Sequence, residues 1–464
     1  MEPILNNFKA AFSQGNGYAM ANCLMPAAPK DDAGLLYGFY RSTNHFSVQS
    51  DIRSFLTYDS RGLFVSKQES GLWVDVFVAY WKAIGDILHA EEASNQTKGP
   101  GADWNKVYES WKDMLNALLR GYTNSTFPAW SIPCLYVAAK YLRIFAIKAD
   151  EQTEKTKGAV TFSQGLSDDL VSSVEKNEKL EDATRQINRI YGICSNDRAP
   201  MEESRKWGLY YFTNLMFKCH FKLNSINLSK TILKSLTASA GDMPPLHAFP
   251  KSHQVAFLYY TGVISFLEEN YEKAEENLTK AKQLCHKDAR KNQELIMTYL
   301  IPCHLLTTHT LPTMALLGPY PRLQQLFLPL AVCIKKGDLA GFDAALAASE
   351  REFVKRRIFL SMERGREIAL RNLFRKVFLA GGYEPPKEGE TGTNRVRRTR
   401  IPLNEFTAAM RLSLKLRSED ELSRDEVECM LANLIYKDNL RGYIARDAGM
   451  IVLSKKGAFP GTGV

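Results

Sequence analysis

The sequence predicts an all-α protein, a right-handed solenoid of helical hairpins that ends in a C-terminal winged helix with a short β-hairpin. Three observations carry that expectation. Long stretches show apolar residues at helical spacing, with few convincing strands. One segment, FLYYTGVISFLEENYEKAEENLTKAKQLC, places small and aromatic residues where two helices would approach closely. Near the end of the chain, three helical patterns run into two short apolar strands around a glycine turn.

Taken in chain order, Gly15-Asn16-Gly17 reads as a loop between helices, since no strand precedes it. EEASNQTKGPGADW (91–104) and KADEQTEKTKGAVTFSQGLSDD (148–169) are poor in apolar residues and read as surface loops. In the hairpin, Gly262, Tyr271, Ala274, Leu278 and Ala281 fall at tetratricopeptide-repeat spacing. The small residues admit the partner helix and Tyr271 fills the turn. Such hairpins stack into concave surfaces suited to binding.

The C-terminal unit opens with EIALRNLFRKVFLAGG, where Leu370, Leu373, Phe374, Val377 and Phe378 share one face and Gly381 caps the end. GGYEPPKEGETGTNRVRRTR (381–400) joins a Gly/Pro stop to a basic run. Pro402 then starts a short helix with Leu403, Phe406 and Met410 inward. Ser423-Arg424-Asp425-Glu426 is a capping box, and Val427, Met430, Leu431, Leu434 and Ile435 form the stripe of the third helix. GYIARD and GMIVLS turn near Asp447-Ala448-Gly449. The expected division is 1–200, an N-terminal helical region; 201–365, helical repeats; 366–456, the winged helix; and 457–464, a tail.

Composition bounds the function. With 464 residues, 45% hydrophobic and 24% charged, the chain can bury a large core. Its net charge of +9 is concentrated at the end, where residues 351–464 carry roughly 23 basic and 15 acidic residues. That asymmetry points to an acidic partner. The eight cysteines form no CxxC pair, as expected of reduced thiols. No signal-peptide plan opens the chain, and no apolar run approaches ~18 residues, so no membrane span is expected. Nucleotide-loop, zincin, nucleophile-elbow and EF-hand motifs are missing from the sequence. Cys219-His220, Cys285-His286 and Cys303-His304 read as structural, because neighbours on a helix point about 100° apart and rarely face one ion, and the spacings between the pairs fit no zinc pattern. No cofactor and no metal is expected.

Several stretches together resemble one family. ESRKWGLYYFTNLMFKCHFKLNSINLSKTILKSL (203–236), NYEKAEENLTKAKQLCHKDARKNQELIMTYLIP (270–302), LRNLFRKVFL (370–379), DEVECMLANLIYKDNLRGYI (425–444) and VLSKKGAFP (452–460) are similar to the PCI-domain family. The likeness is to the branch of the signalosome-subunit-twelve-like proteins and PCI domain-containing protein 2. The basic loop at 383–400 and much of residues 25–105 depart from the pattern. The resemblance implies a non-enzymatic, nuclear subunit that pairs with a Sac-domain (GANP-type) PCI protein and a small acidic proteasome-lid-type subunit. It also implies a role in transcription-coupled mRNA processing and export, or alternatively in a signalosome-type scaffold.

Charge placement adds a candidate surface for RNA or DNA. Arg395, Arg397, Arg398 and Arg400 lead into the winged helix, Lys455 and Lys456 close its last strand, and Arg441 and Arg446 flank the hairpin. Such cations would follow a phosphate backbone without reading bases. The third helix starts with Asp425, Glu426 and Glu428, which would repel phosphates in a major groove. Because winged helices of this family meet side by side, Met450, Ile451, Val452 and Leu453 are the expected strand edge for a partner. Lys355, Arg356 and Arg357 before IFLSM are candidates for docking an acidic peptide.

Overall fold

The computed structural model describes residues 1–58, 66–95, 101–160, 177–384, 397–416 and 422–463. They form two compact units, Met1–Tyr260 and Thr261–Val464. The expected boundary at residue 200 falls inside the first unit, because the helices on either side of it pack on one another.

The first unit is helical among its described residues: α1 (Glu2–Ser13), α2 (Gly17–Cys23), α3 (Leu35–Arg41), α4 (Val48–Arg53), α5 (Lys67–Asn95), α6 (Trp104–Thr123), α7 (Pro133–Val160), α8 (Glu178–Ser195), α9 (Leu209–Lys222) and α10 (Ile226–Ala238). Asn16 caps α2, as the loop reading expects. Asp103 caps α6, whose Val107, Trp111, Met114, Leu118 and Tyr122 recur at helical spacing and are buried. Trp73 stacks on Phe127 with ring centroids 4.0 Å apart, and the Trp111 indole N–H donates to the Ala138 carbonyl at 2.8 Å. Each such aromatic contributes the largest single burial available to a side chain, on the order of 3 kcal/mol.

Two readings of this unit need correction. Residues 148–160, expected as loop, continue α7; 161–169 lie outside the described residues. Within the charged stretch, the Asp150 carboxylate accepts the Lys179 and Leu180 N–H groups at 3.0 and 2.9 Å, capping the start of α8 and tying it to α7. The stretch Ala129–Thr156 also holds an 18-residue window apolar enough to cross a membrane, contrary to the sequence reading, and 61% of that window is buried inside the protein. That burial is the pattern of a core helix.

The division between the units falls within α11 (Lys251–Leu267). In the second unit, the end of α11 pairs with α12 (Tyr271–Leu284) as the repeat spacing predicts. Ala274, Leu278 and Ala281 are fully buried, and a Cβ at Gly262 would lie 2.7 Å from Leu278 Cγ. There follow α13 (Arg290–Thr307), α14 (Met314–Leu317), α15 (Pro321–Lys336), α16 (Leu339–Lys355) and α17 (Phe359–Glu363). Gly337 ends α15 at φ +68°, and Asp338 caps α16.

The winged helix comprises α18 (Gly365–Ala380), β1 (Arg400–Pro402), α19 (Leu403–Leu414), α20 (Arg424–Tyr436), β2 (Gly442–Ala445) and β3 (Met450–Leu453). Leu370, Phe374, Phe378, Leu403, Phe406, Met410, Val427, Leu431 and Leu434 are buried as expected; Leu373, Val377, Met430 and Ile435 are half-buried. Phe374 and Phe406 meet edge to face at 5.2 Å. The capping box at Ser423 and Glu426 forms in full. Gly381 does follow α18, but in right-handed geometry, and the left-handed residue is Gly382 at φ +74°. Pro402 is the N-cap of α19 and the last residue of β1, not the first helical residue.

The tail is part of this unit. Ala458 and Phe459 are buried, and the Arg441 N–H donates to the Ala458 carbonyl at 2.8 Å. Arg371, itself buried, donates to the carbonyls of Asn439 and Pro460, and so bolts the tail to the end of α20.

Candidate nucleic-acid interface

The wing is a three-stranded antiparallel sheet in the order β1-β3-β2. Arg400 pairs with Val452 and Pro402 with Met450; Gly442 pairs with Leu453, Tyr443 with Val452 and Ala445 with Met450. Residues directly opposite share a face. Ile401, Ile451 and Ile444 therefore form one row, of which Ile401 and Ile451 are fully buried. Arg400, Val452 and Tyr443 form a row on the other face, where Arg400 and Tyr443 are exposed.

This register corrects the proposed edge. β3 carries Met450, Ile451, Val452 and Leu453 and has a neighbour on each side, so its backbone groups are committed within the sheet. Ile451 and Leu453 are also buried, while Met450 and Val452 are half-buried. The reason is β1, a strand only three residues long that packs in from the end of the basic loop. The hairpin strand with a free edge is β2.

The same register sorts the basic residues. β1 and β2 begin, and β3 ends, at one end of the sheet. Arg397, Arg398 and Arg400 enter there on β1, Arg441 precedes β2, and Lys455 and Lys456 follow β3. The link is direct: the Leu453 N–H donates to the Thr399 carbonyl, and the Ser454 N–H to the Arg441 carbonyl, each at 2.8 Å. Arg446 lies in the hairpin turn at the opposite end, with Asp425 and Glu428 each 3.7 Å away. Arg395 lies outside the described residues.

Local partners decide which of these charges are available. Arg441 makes a two-pronged contact with the Asp438 carboxylate, both distances 2.9 Å, which holds Asp438 below the usual carboxylate range. Arg398 lies 3.6 Å from Glu405. The Arg397 guanidinium sits 4.9 Å from the Tyr383 ring centroid, and the two residues form a β-bridge. Among the described residues, no ion pair engages Arg400, Lys455 or Lys456, and all three are exposed. The cationic end is thus a smaller, sharper site than the eight residues read from sequence.

Lys355, Arg356 and Arg357 divide by role. Arg356 pairs with Glu352 at 3.1 Å and its carbonyl accepts the Tyr299 hydroxyl. Lys355 and Arg357 are exposed, beside the exposed apolar side chains of Val354 and Leu360. Among the described residues no cluster of three metal-ligating side chains occurs. Sequence reading missed Tyr443, 62% exposed on the outer face of edge strand β2. Its only signal was an aromatic in an alternating strand, which more often faces the core.

A PCI domain matches residues 349–455, a span that takes in the winged helix and the helix before it. Along its entire length the chain is 56% identical to the CSN12 homolog of Neurospora crassa and 52% identical to that of Gibberella zeae, with 100% of both chains covered in each case. It is 30% identical to PCI domain-containing protein 2 of Xenopus laevis, over 77% of this chain and 80% of that one. The chain belongs to the PCI-domain family, in the branch of the CSN12 homologs and PCI domain-containing protein 2.

Proposed function

We propose that this protein is a non-enzymatic scaffold subunit of a nuclear PCI-protein complex, and that its wing holds an RNA or DNA backbone without reading sequence. The observation that carries this reading is the strand register, which gathers Arg400, Lys455 and Lys456 at one end of the sheet without carboxylate partners among the described residues. Ammonium and guanidinium groups so placed neutralise phosphates and release counterions on binding. The acidic start of α20 argues against major-groove reading. The complex we envisage contains a Sac-domain PCI protein and a small acidic subunit, and acts in transcription-coupled mRNA processing and export. The exposed Lys355, Arg357, Val354 and Leu360 are the surface we assign to the acidic subunit.

The test is Arg400→Glu with Lys455→Glu and Lys456→Glu, followed by single-strand binding as a function of salt. Loss of three phosphate contacts lowers the salt slope by about 2. An unchanged slope removes the wing from nucleic-acid binding. A second reading, a signalosome- or lid-type scaffold without nucleic acid, is favoured by the internal neutralisation of Arg398, Arg441 and Arg446. Native purification separates the two by whether signalosome subunits or a Sac-domain protein and RNA factors accompany the chain.

A further inference from the structure

A second cationic face lies in the first unit, on helices that the wing does not include. α8 starts beside Asp150 of α7 and ends near Gly208, where a Cβ on that glycine would lie 3.2 Å from Cys194 Sγ. α7 and α9 are each antiparallel to α8 and therefore run in the same direction. Tyr136 of α7 and Tyr211 of α9 stack with centroids 4.0 Å apart. Seven residues, or two turns, further along each helix stand Arg143 and Lys218. Lys140 lies between, one turn past Tyr136, with its ammonium 5.0 Å from the Tyr141 ring.

The spacing puts Lys140 and Arg143 on the Tyr136 side of α7 and Lys218 on the Tyr211 side of α9, next to the stacked rings. The Lys218 ammonium is held below the usual lysine range first by burial and then by Arg143 and Lys140, and no carboxylate acts on it. The Arg143 Nε is buried without a hydrogen-bond partner. Packing like charges together costs folding free energy, and among the described residues the Cys219 thiol beside Arg143 supplies no full negative charge to offset it. An anion would.

The neighbouring rings narrow the choice of anion. Tyr18 is 58% exposed, with its ring 6.4 Å from Tyr136, and His253 meets Tyr136 at 5.8 Å and Tyr211 at 5.2 Å. Tyr18, Tyr136 and His253 line one groove of about 610 Å³. Asp197, Glu202, Glu203 and Arg205, from the segment before α9, also line the groove, and Lys140, Arg143 and Lys218 stand outside its lining, one and two turns further along α7 and α9. Aromatic faces beside a cationic track are the recurring solution for binding single strands, since every base has a π-face.

We propose that this face is a second nucleic-acid site, separate from the wing, in which phosphates of a single strand lie on Lys140, Arg143 and Lys218 and a base stacks on Tyr18. The inference rests on the reading that the protein binds nucleic acid, and adds a contact within the first unit.

The test uses the full chain and a short oligouridine RNA. Lys140→Gln with Lys218→Gln removes two phosphate contacts and lowers the salt slope by about 1.4. Because like-charge repulsion is relieved, the double variant melts at or above the wild-type temperature. Tyr18→Ala weakens binding about fivefold or more, as loss of one stacked base does. In the Arg400→Glu, Lys455→Glu, Lys456→Glu background, adding the double variant removes the residual binding. The proposal is overturned if the slope is unchanged in both backgrounds, or if the double variant only lowers the melting temperature. It is also overturned if poly-glutamate displaces the RNA at matched charge. Loss of all binding with the wing variant alone would sink this second site and leave the wing reading intact; a wild-type chain that binds no strand would end both.

Discussion

Arg400 and Tyr443 stand on opposite sides of Val452 and share the outer face of the wing, although 43 positions separate them in sequence. A guanidinium for phosphate and an open ring for a base are thus set one strand apart on each side of a half-buried valine. Tyr443→Ala is expected to weaken single-strand binding by about 1 kcal/mol or more, roughly fivefold, and to leave duplex binding unchanged. Fluorescence anisotropy with matched single- and double-stranded oligonucleotides measures both. Equal losses on the two ligands would mean that Tyr443 supports the sheet and does not stack.

Arg371 and the tail form one structural device. Deleting residues 458–463 uncovers Phe378, which lies 5.9 Å from Phe459 between ring centroids, and strips a carbonyl partner from buried Arg371. The loss of one buried aromatic is about 2–3 kcal/mol, and the orphaned donor adds to it. Arg371→Met removes the clamp and keeps the volume, so it should cost less than the deletion. Thermal unfolding of the second unit ranks the two variants; a silent deletion would show that the tail's packing contributes nothing.

Gly337 is required twice over. Its φ of +68° is strained for any side chain, and a Cβ there would sit 2.8 Å from the Leu373 backbone on α18. The adjoining turn is also tied to α19, because the Ser413 hydroxyl donates to the Gly337 carbonyl at 2.7 Å and accepts the Leu339 N–H at 2.8 Å. Gly337→Ala is predicted to destabilise by more than about 1 kcal/mol, read from denaturant midpoints at unchanged slope.

Burial, with Lys218 as a lesser cause, lowers the His253 pKa to about 4 from an ordinary 6.5. The unfolded chain therefore binds this proton more readily, and the contribution to stability is present above pH 6.5 and lost as pH falls toward 4. His253→Gln should flatten the rise of melting temperature between pH 4 and 6.5. Identical pH profiles for the two proteins would refute the assignment.

Legibility followed the range of the interaction. The capping box at Ser423 and the stripe Val427, Leu431 and Leu434 are written within a few residues, and both were read correctly. The close approach at Gly262 was legible too, because a missing side chain and its partner spacing belong to one hairpin. The 148–160 segment misled because charged residues suggest a loop, while its Asp150 is committed to the first N–H groups of α8 about thirty positions away, a contact that no local pattern shows. The eight candidate cations were read from charge alone, and charge does not reveal that Asp438, Glu405 and Glu428 lie against three of them.

What the amino-acid order determined by itself is the helical class and the terminal winged helix, since periodicity and caps act between residues one or two turns apart. Which strand is central, which cations stand unpaired and whether the tail is buried were decided only in the folded unit. Pairing Arg400 with Val452, or seating Pro460 on Arg371, requires segments far apart in the chain to be held together by a common core, and no local pattern encodes that choice.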